Sequence, residues 1–160
     1  MKVQCFNLLE DTERSLFLYA LKIFILVFTV GIGVISIMSL FVRQEAYLVG
    51  EFTLASTLKT VFLAPFIETL LMVPVIEVLK KFLKKKLYIG LISGIFWACL
   101  HSLVTPLWGI GVFFLFYMMT LAYLFWQEKS TIQAIYVVMI IHALNNASVL
   151  LFVFLTSYFT

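Results

Sequence analysis

The sequence has 160 residues, of which 64% are hydrophobic and 12% are charged, and its mean hydropathy is +1.13. Because a soluble domain is nearer half apolar and a quarter charged, this composition excludes a soluble globular protein and indicates a single integral membrane domain over residues 1–160. The net charge of +3 does not indicate nucleic-acid binding, since much of it lies in one lysine cluster between apolar segments, at residues 80–86.

Long apolar runs predict an all-α bundle of about five membrane-spanning helices, since one crossing needs about 20 residues. The uncharged stretch 87–127 is too long for one crossing, and Pro106 predicts its break, because the residue before a proline avoids helical geometry. We expect one helix from residue 132 to the C-terminus, although a break at Asn145-Asn146 would give six spans. The predicted spans cover residues 15–42, 57–79, 87–104, 107–126 and 132–160.

The lysine cluster also predicts the orientation of the chain, since Lys and Arg are enriched in cytoplasmic loops. With residues 80–86 in the cytoplasm, the N-terminus and the polar turn Glu128-Lys129-Ser130 are predicted to be cytoplasmic as well. Within the third span, Gly90, Gly94 and Ala98 recur every four residues. This spacing predicts a face for close contact with another helix.

Four polar side chains lie deep inside the predicted spans: Glu68, His101, His142 and Asn146. An ionisable group at the bilayer centre costs roughly 2.5–3.5 kcal/mol on insertion scales, so Glu68 indicates a functional site by itself. At 1.5 Å per residue, all four lie about 15–21 Å from the lysine side of the membrane. His142 and Asn146 are four residues apart and therefore share one helix face. We predict that the four residues form one site near the midplane.

A second glutamate of the same span is interpreted differently. Glu77 lies nine residues after Glu68, on the opposite face of a straight helix, and near the membrane interface within reach of Lys81. We therefore interpret Glu77 as a structural residue at the helix end and not as the partner of Glu68 in a carboxylate dyad. Pro74, between the two glutamates, predicts a kink just beyond Glu68.

The chemistry that suits these residues is the activation of water in a dry site. A carboxylate removed from bulk water is a better base, a histidine can hold the water, and a second histidine with an asparagine can donate to the oxyanion of an attacked amide. This combination indicates peptide hydrolysis. Other interpretations stay open: Glu68, His101 and His142 could ligate a divalent metal such as zinc, relay protons in a transporter subunit, or only join helices.

The order of these residues resembles that of the CPBP family of intramembrane proteases, which includes the CAAX prenyl endopeptidases and bacterial proteins linked to bacteriocin immunity or maturation. Three motifs over residues 64–150 carry the resemblance: Ala64-Pro65-Phe66-Ile67-Glu68-Thr69, Trp97-x-x-x-His101 and His142-x-x-x-Asn146. The resemblance implies a metal-free, glutamate-dependent endopeptidase without a cofactor. Glu68 would be the general base, His101 would position the water, and His142 and Asn146 would stabilise the oxyanion.

The resemblance further implies a membrane-anchored peptide or protein as substrate and a place in the bacterial cell membrane. The first motif departs from the family pattern Glu-Glu-x-x-x-Arg, because Thr69 stands at the second glutamate and Val73 at the arginine. The loss of this charged pair disfavours prenylated substrates. It also leaves open a catalytically inactive relative that acts in bacteriocin immunity or as a peptide-binding scaffold.

Overall fold

The computed structural model describes residues 8–40 and 53–157 of the chain. Within these ranges the chain contains no β-strand, and five of its helical segments are long and apolar enough to cross a membrane. The prediction of an all-α bundle with five spans is therefore confirmed, and the chain is an integral membrane protein. Most of the loop expected after the first span lies at residues 41–52, outside the described ranges.

The membrane crossings begin and end close to the predicted boundaries. In chain order the elements are α1 (Leu16–Ser39), α2 (Leu54–Leu58), the π-helical turn π1 (Lys59–Leu63), α3 (Ala64–Phe82), α4 (Lys86–Val104), α5 (Trp108–Gln127) and α6 (Thr131–Ser157). The second crossing is made of α2, π1 and α3 together. The last crossing is one helix, as expected, and it passes through Asn145-Asn146 without a break.

Hydroxyl side chains cap the N-termini of α1 and α6. The Ser15 side chain accepts a hydrogen bond from the backbone N–H of Leu18 at the start of α1, and Ser130 accepts one from Gln133 at the start of α6. Such caps satisfy backbone donors that have no partner within the helix. Between α4 and α5 the chain leaves helical geometry at Thr105, directly before Pro106, as the proline predicts.

The irregular turn π1 has its cause in Pro65. A proline lacks a backbone N–H, and its ring clashes with the carbonyl four residues earlier in a regular helix. Here the Ala64 N–H donates to the Lys59 carbonyl, five residues earlier, which widens the helix by one residue directly before Pro65. Beyond this turn, α3 continues as one α-helix through Pro74 to Phe82. The π-helical turn therefore lies before Glu68 in the chain, and Pro74 lies after it.

The most buried helix is α5, which packs against α1, α4 and α6. Its contact with α4 uses the small residues that the sequence indicated. A Cβ atom added to Gly90 or Gly94 would approach side chains of α5 to within 3.0–3.2 Å. Conversely, a Cβ added to Gly109 of α5 would collide with the backbone carbonyl of Ala98 on α4. The predicted contact face on α4 is therefore confirmed.

Polar contacts show which ends of the helices lie together. Lys86 at the start of α4 pairs with Glu128 after α5, with 2.5 Å between Nζ and Oε1. Lys129 in the same turn pairs with Glu13 and donates to the Thr12 carbonyl before α1. The N-terminal segment, the lysine cluster and the Glu128-Lys129 turn thus lie at one end of the bundle. The cytoplasmic location of this end stays a prediction.

Candidate functional site

Three helices bring three of the four predicted site residues together. Glu68 lies on α3, His101 on α4 and His142 on α6. The Oε2 atom of Glu68 is 3.8 Å from Nε2 of His101 and 3.6 Å from Nε2 of His142. The exposed fraction of these side chains falls from 26% for Glu68 to 15% for His101 and 4% for His142. We call these three residues the Glu68 cluster.

A hydrogen bond within α4 fixes the orientation of the His101 ring. Its Nδ1 lies 2.8 Å from the carbonyl oxygen of Trp97, one turn earlier on α4. Because a carbonyl only accepts, Nδ1 carries the proton and donates it. In the neutral imidazole, Nε2 is then an acceptor that faces Glu68. The motif Trp97-x-x-x-His101 thus has a physical basis, since the four-residue spacing places the carbonyl under the ring.

An aromatic wall surrounds the two histidines. The Phe116 ring of α5 lies 5.2 Å from the His101 ring and 5.6 Å from the His142 ring, measured between centroids, and stacks on Trp97 at 4.9 Å. The Trp108 ring lies 5.2 Å from the His101 ring, also between centroids, in a T-shaped arrangement. These ring contacts restrict the orientation of both imidazoles. Sequence reasoning did not identify Phe116 or Trp108, since an aromatic residue in an apolar helix gives no local signal.

The polar atoms of the Glu68 cluster are close but not bonded to one another. Separations of 3.6 and 3.8 Å exceed a hydrogen bond. Within the described part of the chain, Oε2 of Glu68 and Nδ1 of His142 are buried and have no hydrogen-bond partner. Buried polar atoms are almost always satisfied in folded proteins. The Glu68 cluster therefore has unused hydrogen-bonding capacity that a water or a substrate can fill.

Asn146 lies on the same helix face as His142 but makes a bond elsewhere. Its Nδ2 donates to the backbone carbonyl of Thr60 in π1, at 3.0 Å. An asparagine amide has two N–H donors, so one is occupied by this bond and the other is left for a further acceptor. The sequence predicted that Asn146 lies beside His142, but not that it is tied to the π-helical turn.

Glu77, the second glutamate of α3, has a full set of partners. Its Oε1 accepts from Gln127 Nε2 at 2.6 Å, and the Lys80 ammonium lies 3.0 Å from both carboxylate oxygens. Tyr123 and Gln127 of α5 complete the set, which we call the Glu77 network (Glu77, Lys80, Tyr123 and Gln127). Glu77 is a structural residue at the helix end, but the expected neighbour was wrong, because Lys80 takes the place predicted for Lys81.

A comparison with known families identifies the protein class. The family model described as "Rce1-like: Type II CAAX prenyl endopeptidase Rce1-like" matches residues 50–148, which include Glu68, His101, His142 and Asn146. The chain belongs to this family. The resemblance to the CPBP proteases is therefore confirmed, and it indicates a CAAX-type intramembrane protease. Searches of curated proteins and of solved structures gave no match.

Thr69 and Val73, the two departures from the family motif, both face the interior of the bundle. Thr69 is fully buried, and its hydroxyl has no hydrogen-bond partner among the described residues. Val73, one turn later, packs against the hydrophobic core. A glutamate and an arginine at these positions would be four residues apart, the spacing of an ion pair on one helix face. In this Rce1-like chain an apolar contact and a lone hydroxyl occupy that space instead.

An apolar groove of about 520 Å³ lies on the surface of the bundle between the second crossing and α6. Phe62, Pro65 and Phe66 line it from the second crossing, and Met139 and Ala143 line it from α6. Pro65 lies three residues before Glu68 and Met139 three residues before His142, so each shares a helix face with a residue of the Glu68 cluster. Lys59 is the charged residue of the lining. A groove of this composition suits an apolar chain that arrives from the lipid.

The residues of the Glu68 cluster were also considered as metal ligands. Carboxylate and imidazole are suitable ligand types for zinc. However, within residues 8–40 and 53–157, no group of three His, Cys, Asp or Glu side chains has an arrangement that could hold a metal ion.

Proposed function

We propose that this Rce1-like chain is an intramembrane endopeptidase that hydrolyses a peptide bond of a membrane-associated protein or peptide, with Glu68 as the general base. The observation that carries the proposal is the convergence of the Glu68 cluster. One buried carboxylate oxygen faces two imidazole nitrogens at 3.6 and 3.8 Å. Each of the three side chains comes from a different helix inside an apolar bundle.

The reaction begins with a water held between Glu68 and His101. At 3.8 Å, Oε2 and Nε2 are too far apart to bond directly, but one water can reach both atoms from the side. Both atoms accept hydrogen bonds from that water, since His101 donates through Nδ1 to Trp97. The oxygen of the water then points its lone pair at the substrate carbonyl. Glu68 takes the proton from the water and returns it to the leaving amine.

The tetrahedral intermediate requires donors for its negative oxygen. We assign this role to His142 through Nε2–H, and to the second N–H of Asn146. The location of His142 supports the assignment, because its side chain is 4% exposed and hydrogen bonds to an anion are strongest where water is excluded. Asn146 follows His142 by four residues and therefore projects from the same face of α6.

The substrate is proposed to enter from the lipid through the apolar groove. An apolar segment between Phe66 and Met139 would bring its peptide backbone past the Glu68 cluster. The family description names CAAX prenyl endopeptidases, so prenylated CAAX peptides belong among the candidate substrates. The uncharged residues Thr69 and Val73 instead favour a membrane peptide without a prenyl group, and a cleavage assay has to offer both kinds.

A specific observation also favours a second function, that of a peptide-binding protein without hydrolytic activity. The buried Thr69 hydroxyl and the apolar Val73 provide no charge to support Glu68. The groove would still bind an apolar peptide, as an immunity or scaffold protein of bacteria would. In this case peptide binding persists when Glu68 is replaced, and no cleavage is seen in the wild-type protein.

The decisive experiment offers purified protein in liposomes two fluorogenic peptides, one farnesylated with a CAAX terminus and one anchored by a transmembrane segment. Glu68→Gln keeps the shape of the side chain and removes the base, so we expect cleavage to fall about 100- to 10,000-fold. Glu77→Gln, on the same helix, is the matched control and should retain cleavage within about threefold. Wild-type cleavage that survives in Glu68→Gln refutes the proposal, and so does the absence of cleavage of every peptide.

The proposed mechanism needs no metal, and the same assay tests this point. Incubation with 1,10-phenanthroline or EDTA, followed by removal of the chelator, should leave the cleavage rate unchanged. A rate that falls with the chelator and returns with zinc would instead assign Glu68, His101 and His142 as metal ligands.

A further inference from the structure

The carbonyl of Thr60 lacks both of the backbone donors that a helix would normally offer it. In a regular α-helix it would accept from the N–H of Ala64, but that N–H donates to Lys59 instead. In a continued π-helix it would accept from residue 65, but Pro65 has no N–H. The sequence Ala64-Pro65 therefore leaves one backbone acceptor free within the first third of the second crossing, Leu54–Phe82, where the lipid offers no donor to replace the missing one.

Asn146 supplies the missing donor from another helix. Its Nδ2 lies 3.0 Å from the Thr60 carbonyl oxygen. Because this carbonyl only accepts, the contact also determines which way the amide is turned, with Nδ2 toward Thr60 and Oδ1 away from it. The bond joins π1 to α6 one helical turn after His142.

We propose that Pro65 is a positioning residue: by withholding an N–H it frees the Thr60 carbonyl, and this carbonyl anchors the amide of Asn146 beside His142. The inference rests on the proposed function, in which the second N–H of Asn146 donates to the oxyanion. A donor contributes fully only when it is held in place before the reaction. An unanchored amide would rotate freely and would lose that benefit.

The proposal gives Pro65 a role that the neighbouring prolines lack. Pro74 lies on the same helix, but on a surface that it shares with Val78 and with Phe96 of α4. A replacement of Pro65 by alanine adds an N–H that competes with Asn146 for the Thr60 carbonyl. A replacement of Pro74 by alanine adds an N–H elsewhere on α3. The two variants therefore have the same chemistry and differ in the acceptor that the new donor can reach.

The kinetic experiment compares Pro65→Ala with Pro74→Ala in the liposome assay. We expect kcat to fall about 10-fold in Pro65→Ala with KM within twofold, since misplacement of one group can cost up to about 100-fold, and we expect Pro74→Ala to resemble the wild type. Lactic acid introduced at position 65 by nonsense suppression lacks the N–H, as proline does, and should restore kcat. A rise in KM alone, or equal loss with alanine and lactic acid, refutes the proposal.

A second measurement does not depend on cleavage. The chain has three asparagines, Asn7, Asn145 and Asn146, so the protein labelled with ¹⁵N-asparagine gives few side-chain amide signals, and Asn146→Ala assigns the relevant one. We expect one Nδ2 proton of Asn146 to exchange slowly in the wild type and rapidly in Pro65→Ala. Rapid exchange of both protons in the wild type, or continued protection in Pro65→Ala, overturns the proposal.

The two readouts separate this inference from the proposed function. If Glu68→Gln cleaves as well as the wild type, the proposed function fails, whereas the exchange of the Asn146 amide still reports whether Pro65 controls its anchor. If Glu68→Gln is inactive but Pro65→Ala has an unchanged kcat, the proposed function stands and the role of Pro65 in catalysis is refuted.

Discussion

Two glutamates of α3, nine residues apart, have opposite surroundings. Glu77 is bonded to Lys80 and Gln127 at 2.6–3.0 Å and lies near the end of the helix. Glu68 lies in the middle of the crossing, faces two imidazoles at 3.6 and 3.8 Å, and has a buried oxygen without a partner among the described residues. The same side chain on the same helix is thus satisfied at one position and unsatisfied at the other.

This difference shows how two levels of the bundle, the end of α3 and the middle of the crossing, are held together. At the Glu77 network, hydrogen bonds and an ion pair join α3 to α5. At the Glu68 cluster the polar atoms do not bond one another. There α4 is held by its close packing against α5, and the bond from Asn146 to Thr60 joins the second crossing to α6. A satisfied polar network stabilises the fold, whereas unsatisfied polar groups are expected where chemistry occurs. Variants that disturb each kind of contact therefore test this difference.

The largest loss of stability is expected where the close packing of α4 against α5 supports the Glu68 cluster. A Cβ added to Gly109 would collide with the Ala98 carbonyl and with the Ser102 side chain of α4. Because backbone cannot move aside as a side chain can, Gly109→Ala should separate α4 from α5 and destabilise the protein by about 3 kcal/mol. Since α4 carries His101, cleavage should fall as well. Unfolding in SDS titrations measures the stability.

The matched control for this prediction lies two residues later on the same helix. A Cβ added to Gly111 meets no atom within 4 Å, so Gly111→Ala should leave stability unchanged or raise it by up to about 1 kcal/mol through helix propensity. Equal unfolding midpoints for Gly109→Ala and Gly111→Ala would show that the contact between α4 and α5 does not support the site.

A smaller effect is expected from breaking the Glu77 network. Glu77→Ala removes the acceptor for Lys80 and Gln127, but the Glu77 side chain is 41% exposed, so solvent replaces part of the lost interaction. We expect the free energy of unfolding to fall by about 1–2 kcal/mol, with cleavage retained in the folded fraction. Lys81→Ala is the control, since Lys80 and not Lys81 pairs with Glu77. A loss of stability in Lys81→Ala equal to that in Glu77→Ala would contradict this assignment.

The comparison of the two glutamates also shows what sequence alone could predict. Hydropathy set the five crossings, and the rise per residue placed Glu68, His101 and His142 at one level, because both depend on local properties of a helix. The assignment of Glu68 to the site and of Glu77 to a structural role followed from their distances to the helix end. These parts of the fold and site need no knowledge of which helix packs against which.

The parts that the sequence did not predict depend on contacts between distant residues. The bond from Asn146 to Thr60 spans 86 positions of the chain, and it exists only because π1 leaves a carbonyl free. The choice of Lys80 over Lys81 depends on Gln127, which reaches the same ammonium from α5. Phe116 contacts both histidines, but only the packing of α5 between α4 and α6 brings it there.

The smallest effect is expected at Thr69, where the family has its second glutamate. Thr69 is fully buried and its hydroxyl makes no hydrogen bond within the described ranges, so Thr69→Val keeps the shape and removes an unsatisfied polar atom. Stability should stay within about 0.5 kcal/mol or rise slightly, because an unmade hydrogen bond contributes nothing that can be lost. Cleavage should stay within twofold of the wild type.

Thr120, a buried threonine of α5, is the matched comparison for the Thr69→Val variant. Thr120 is as buried as Thr69, but its hydroxyl donates to Ser93 at 2.9 Å. Thr120→Val leaves the Ser93 hydroxyl without its partner and should cost about 1–2 kcal/mol. If Thr69→Val costs as much as Thr120→Val, Thr69 has a partner in the folded protein, such as a buried water. If Thr69→Val also loses cleavage, that water belongs to the reaction, and Thr69 takes over part of the role of the missing glutamate.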